Sequence, residues 1–153
     1  MGYSCTLQKA VKIFFMMKVR IGQSGIPGAG KGLFAEEHIK RGQTIVVVTG
    51  PRYTTKEVIE TQMHNSYLLE LNDESGDCIE VQGPARYAND AKGLTNIEGI
   101  YNNAQFCSAE DESMYLAATR TIPKGSEIFV SYGKAYWREV MKEQKLLQPA
   151  GSR

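Results

Sequence analysis

Glycine and proline break this chain so often that only short elements have room to form. With 15 Gly and 5 Pro among 153 residues, the apolar runs between breaks have the length of single strands, roughly four to eight residues. Phe14 to Ile21 and Thr44 to Val48 are rich in β-branched or bulky apolar residues and stop at Gly, Ser or Pro, which predicts two strands. Ser66 to Leu71 and Cys78 to Val81 flank the turn-rich Asn72-Asp73-Glu74-Ser75-Gly76-Asp77 and so predict a hairpin. Ala104 to Ser108, Met114 to Thr119 and, after a Pro-Lys-Gly turn, Glu127 to Ser131 add three strands. Helical signals are sparse. Ala35 to Lys40 offers one or two turns at most, Thr54 caps a short helix to about His64, and Lys134 to Leu147 reads as a helix. The order predicts a mainly β fold with short helices.

One stretch, GIPGAGKGLFA at residues 25 to 35, reproduces most of a phosphate-binding loop, with Gly32 where the magnesium-binding hydroxyl should stand. Such a loop opens a long helix and is followed by strand–helix alternation. Gly42 comes too soon for that helix, and no apolar strand ends in an Asp placed to hold magnesium. The glycines therefore serve plain turns or a different ligand.

A length of 153 residues suits one domain with a real core. Charged residues make up 23% and the net charge is +1, which excludes a disordered acidic or polybasic segment as the main actor. The same balance gives no basic stripe for a small β-barrel that binds nucleic acid. Cys5, Cys78 and Cys107 show no CxxC or Cys/His spacing, which predicts no metal site and suits a reducing compartment. The apolar run from Val11 to Met17 is interrupted by Lys12, is too short to span a bilayer and precedes no small-residue cleavage site. It reads as a strand or a buried N-terminal segment. His38 and His64 lack ligand spacing and read as solvent-facing or capping side chains.

Residues 83 to 100 are dense in Gly, Asn, Asp and Pro, and too long for an incidental loop. They contain ARYAND, and beyond them stands IPKGSEIFVSYGKAYW. With GKGLFA and HIKRGQTI before them, these motifs resemble, in the same order, three segments of the SET-domain family of protein lysine methyltransferases. The first is similar to its opening Gly-x-Gly stretch, the second to its Arg-Phe-x-Asn-His segment, and the third to its Ile-x-x-Gly-Glu-Glu-Leu-x-x-x-Tyr-Gly closing segment. Each motif alone is common, but their ordered set is specific. SYGKAYW particularly resembles short viral members without a cysteine-rich zinc module after the closing motif. The resemblance covers about residues 17 to 140.

It implies a SET fold, several small curved sheets around a knot-like crossing, and S-adenosylmethionine as cofactor. Gly30, Lys31 and Gly32 would lie against the methionine part of the cofactor, where glycine admits the backbone without a Cβ in the way. Asn89 would bind it through the side-chain amide, with Arg86 in the same cofactor-binding segment bracing the crossing. Asp90 would contact the adenine through its backbone. It stands where the family usually has His; an Asp there would retain the backbone contact, while its added negative charge would weaken binding or alter affinity. Tyr132 takes the catalytic place, orienting a neutral lysine amine without a proton relay. Tyr67 and Tyr136 would wall the lysine channel, and Trp137 would cover the adenine. Read alone, each has a plainer role: a turn residue for Asn89, core aromatics for the three tyrosines, an anchor of the last helix for Trp137.

The resulting division is an N-terminal extension (1–16), a SET domain (17–137) and a C-terminal helix and tail (138–153). The expected activity is methylation of a protein lysine, with a histone tail as the expected substrate. A nuclear location follows from that substrate class, although the cytoplasm is compatible. Neither a membrane partner nor a direct nucleic-acid site is expected. Because no Cys follows Cys107, the channel must be completed by the last helix or by a second copy of the chain, as in a homodimer. The alternative is a SET-fold module that binds cofactor or peptide and catalyses weakly, motivated by Asp90 and the missing zinc module.

Overall fold

The computed structural model describes residues 18–61, 67–71, 75–92 and 97–147. Nine short strands form three sheets of three strands each. In the first, β1 (Val19–Gln23) and β2 (Lys31–Ala35) make a hairpin, and β9 (Glu127–Ile128) pairs with the far side of β2. The second runs β3 (Thr44–Val48), β8 (Met114–Ala118), β7 (Ala104–Ser108), all antiparallel. The third places β6 (Cys78–Glu80) between β4 (Arg52–Tyr53) and β5 (Leu68–Glu70). Two helices, α1 (Thr55–Glu60) and α2 (Gly133–Leu147), and a 3-10 turn at Pro84–Tyr87 complete the described elements.

The predicted mainly β architecture with short helices is the one observed. The hairpin between the segments at 66 and 81 is present, with Leu69 opposite Ile79. Thr54 caps α1 through a capping box, its hydroxyl accepting from the Glu57 N–H while the Glu57 carboxylate accepts from the Thr54 N–H. Three expectations differ. Ala35 to Lys40 forms no helix, because Ile39 instead bridges Ile122 across the molecule. The glycine-rich stretch contributes a full strand, β2, and Arg52–Tyr53 adds the short β4. Residues 14–17 and 62–66 of predicted elements lie outside the described residues, as do Cys5 and His64. Among the described residues no helix is long and apolar enough to cross a membrane.

Two apolar clusters hold the sheets together. One gathers Leu33, Leu116 and Ile128 from the first two sheets with Ile39, Ile122 and Val130 from bridged segments outside the strands, each no more than 1% exposed. The other joins Val48, Leu71, Ile79 and Met114, between the second sheet and the third. Val46 and Phe106 pack against both and link them. Burying each such side chain contributes about 1.5–3 kcal/mol.

The last strand leaves the first sheet and threads between two earlier parts of the chain. The peptide between Phe129 and Val130 is bonded on both sides: Val130 N–H to the Asn89 carbonyl at 2.8 Å, and the Phe129 carbonyl to the N–H of Asn103 and Ala104 at 3.0 Å each. Asn103 acts as a side-chain strand partner, its amide nitrogen donating to the Glu127 carbonyl and its oxygen accepting from the Phe129 N–H, both at 2.9 Å. This crossing brings the ends of three distant segments to one place.

Candidate active site

A cavity of about 650 Å³ opens at that crossing. One rim is the loop between β1 and β2, at Ile26, Gly28 and Lys31. The floor holds Ala88, Asn89 and Asp90, and the far wall holds Tyr132, Tyr136 and Trp137. Its size falls in the range of about 300–1,000 Å³ typical for small-molecule sites.

The loop is folded by the chemistry of Glu127. This carboxylate, 9% exposed, accepts from the Ser24 hydroxyl at 2.6 Å and the Gly25 N–H at 2.8 Å. A Cβ on Gly32 would lie 2.2 Å from its Oε1, so the absence of a side chain at position 32 makes room for Glu127. Gly30 turns with φ +72°, and the Lys31 carbonyl receives the Asn89 amide nitrogen at 3.0 Å. That same nitrogen reaches Glu127 at 3.4 Å. The amide thus ties the floor to the rim, and among the described residues its oxygen accepts no bond.

Asp90 is 6% exposed and its carboxylate is fully committed. Oδ2 accepts from the Tyr132 backbone N–H and the Trp137 indole N–H, both at 2.8 Å. Oδ1 accepts from the Lys92 N–H at 2.9 Å and the Asn102 amide at 3.0 Å. Burial pushes its pKa up, but the hydrogen bonds from Trp137, Tyr132, Asn102 and Lys92 outweigh burial and hold it below the ordinary value.

Gly133, at φ +83°, takes the left-handed conformation that lets the chain turn from the closing strand into α2. Tyr132 therefore points back into the cavity wall. Its hydroxyl donates to the Ala88 carbonyl at 2.9 Å, and its ring stacks on Trp137 (5.9 Å, 14°) and meets Tyr136 edge-on (5.0 Å, 76°). Burial raises the phenol pKa above the ordinary 10.0, with smaller contributions from Tyr136, Asp90 and Tyr67. The phenol stays neutral and is a donor and acceptor, not a base.

The structure brings Lys31, Arg86, Asn89, Asp90, Tyr132, Trp137, Tyr67 and Tyr136 to one cavity. Arg86 is exposed, and its guanidinium lies over the Tyr67 ring at 4.3 Å, at the mouth. Glu127, Asn102 and Asn103 were not singled out from sequence, and their partners lie between 11 and 103 positions away. The signal for Glu127 was present in GSEIF, a charged residue at the start of a buried strand. Among the described residues no group of three His, Cys, Asp or Glu could hold a metal ion.

A family model described as the SET domain matches residues 30–133. Among solved structures, ctPRC2, the Polycomb Repressive Complex 2 of Chaetomium thermophilum, in an autoinhibited conformation bound to S-adenosylmethionine, is 21% identical with a TM-score of 0.62 over 84% of this chain and 17% of that one. An active polycomb repressive complex 2 in the basal state is 25% identical, with a TM-score of 0.62 over 76% of this chain and 15% of that one. The methyltransferase domain of human PR domain-containing protein 2 is 20% identical, with a TM-score of 0.58 over 78% of this chain and 80% of that one. The chain thus spans about a sixth of the polycomb chains and most of the human domain.

Proposed function

We propose that this chain, which belongs to the SET-domain family, transfers a methyl group from S-adenosylmethionine to the side chain of a protein lysine, with histone tails as the first substrates to test. The observation that carries this reading is the convergence of three separate motifs, the β1–β2 loop, the Asn89 segment and Tyr132 with Trp137, on one cavity. The cavity suits the cofactor: it has the volume, an amide oxygen at Asn89 that accepts no bond among the described residues, a rim at Gly28, Ala29 and Lys31, and a tryptophan face to pack on. The related folds include one whose structure is bound to S-adenosylmethionine and one described as a methyltransferase domain, which supports the same reading.

When bound, S-adenosylmethionine supplies a methyl activated by its sulfonium. The lysine amine must reach it unprotonated, against an ordinary pKa of about 10.4. Asp90, the carboxylate among the described lining residues, is occupied by four donors and cannot take that proton. The protein's contribution is therefore desolvation between Tyr67, Tyr132 and Tyr136 and alignment by the neutral Tyr132 hydroxyl. The amine would give up its proton to solvent and be held by Tyr67, Tyr132 and Tyr136 with its lone pair toward the methyl that bound S-adenosylmethionine would supply.

The test is transfer of labelled methyl to core histones and to histone-tail peptides, with a lysine-to-arginine peptide as control. Label on the lysine peptide alone supports the reading. No label on any lysine, with the cofactor demonstrably bound, would move the chain to the weak binding module.

A further inference from the structure

Four N–H groups converge on the Asp90 carboxylate, and they come from three parts of the chain: Lys92 beside it, Asn102 ahead of β7, and Tyr132 with Trp137 at the start of α2. Only an ionised carboxylate offers two oxygens able to accept all four while donating nothing. Asparagine would set its own N–H₂ against two of those donors, and a neutral imidazole has one acceptor. Asn102 cannot turn its oxygen to help, because that oxygen already accepts the Ala91 N–H at 2.9 Å.

What the carboxylate holds is the cavity wall formed by Tyr132 and Trp137. Lys134, Ala135, Arg138, Glu139 and Met141 are exposed along α2. The Trp137–Asp90 bond ties this helix to a distant part of the chain, while nearer by the Gly133 N–H donates to the Ser131 hydroxyl at 3.2 Å. The aromatic cluster of Tyr132, Tyr136 and Trp137 adds to that attachment.

We propose that Asp90 is a positioning residue that latches the start of α2 over the cavity through Trp137 and the Tyr132 backbone, so that this site requires an aspartate at position 90. This rests on reading the cavity as the cofactor site, and it reverses the expectation that the charge of Asp90 weakens that site. The last helix then supplies the wall that a second copy of the chain would otherwise have to provide.

Trp137 is the only tryptophan, so its fluorescence reports the latch directly. In Asp90→Asn and Asp90→His, measured without cofactor, acrylamide should quench Trp137 more strongly than in the wild type, with red-shifted emission. The Kd for S-adenosylmethionine should rise about tenfold or more, the worth of a hydrogen bond to a charged group. Trp137→Phe keeps an aromatic ring and loses the N–H, and should raise Kd on its own. Combined with Asp90→Asn it should cost less than the product of the two single effects, because they share one bond. Wild-type quenching in Asp90→Asn, tighter cofactor binding in Asp90→His, or independent effects in the double variant would overturn the latch. If Asp90→Asn fails to fold, an unchanged Kd in Trp137→Phe overturns it equally. Absence of cofactor binding in every form, wild type included, would remove the cofactor reading, while the quenching difference still decides the latch.

Discussion

At the scale of the residue, the site depends on groups whose protonation is fixed by their surroundings. Tyr132 is held neutral by burial, and its hydroxyl already donates to Ala88. Because its pKa is raised, the phenol keeps its proton as pH passes the ordinary tyrosine value of 10.0. The rate of methyl transfer should therefore climb with pH as more lysine substrate loses its proton, with no fall near 10.0 from Tyr132. A descending limb at or below that pH, in protein still folded by circular dichroism, would contradict the assignment. Tyr132→Phe should lower turnover by at least tenfold and leave the Kd for S-adenosylmethionine nearly unchanged, the pattern of an interaction made chiefly in the transition state. Steady-state kinetics with a peptide substrate read both. Tyr132, Asn89 and Trp137 were legible because they sit inside short motifs. For Glu127 the charged residue in GSEIF was visible but its partner was not, because the Ser24 hydroxyl that it holds is 103 positions away, and no local pattern records a bond of that span.

At the scale of the element, β2 shows why glycine misleads. Lys31–Ala35 looks like a loop, yet Gly32 is a strand residue without a Cβ because the Glu127 carboxylate fills that place. Gly32→Ala should destabilise the fold by about 1–3 kcal/mol, as overpacking does, and loosen the Ser24 and Gly25 bonds to Glu127. Urea unfolding measures the loss, and a variant as stable as the wild type would mean that Glu127 moves freely. Helix α2, Gly133–Leu147, was read nearly to its ends from sequence. The closing strand was read as Glu127 to Ser131, but only Glu127–Ile128 pairs in a sheet. Beyond it the chain threads between Asn89 and Ala104, a relation between three distant segments that periodicity cannot express. The latch of α2 also has an acid signature. Asp90 has a lowered pKa in the folded chain, so its stabilisation is complete above the ordinary 3.8 and is lost as pH falls through the lowered value. The stability gap between wild type and Asp90→Asn should narrow below pH 3.8, and a gap constant with pH would show that the charge does not matter.

At the scale of the molecule, three small sheets share two apolar clusters, and the crossing sits where those sheets meet. Leu116, fully buried on the central strand of the second sheet, packs in the same cluster as Val130 of the crossing. Leu116→Ala should cost about 2–5 kcal/mol and weaken the site with the fold; thermal denaturation checks it. The mainly β class and most strands followed from turn chemistry and apolar runs. The arrangement of three sheets around a threaded strand came instead from the family resemblance, because long-range pairing leaves little trace in a single sequence.

The central claim is that the cavity beneath Trp137 is the S-adenosylmethionine site. The most direct measurement is a titration of the wild-type protein with S-adenosylmethionine, followed together by calorimetry and by Trp137 fluorescence. One saturable event is expected, with the same midpoint in heat and in emission. Binding heat without any change at Trp137 would place the cofactor elsewhere, and no heat at all would contradict the function assigned to the cavity.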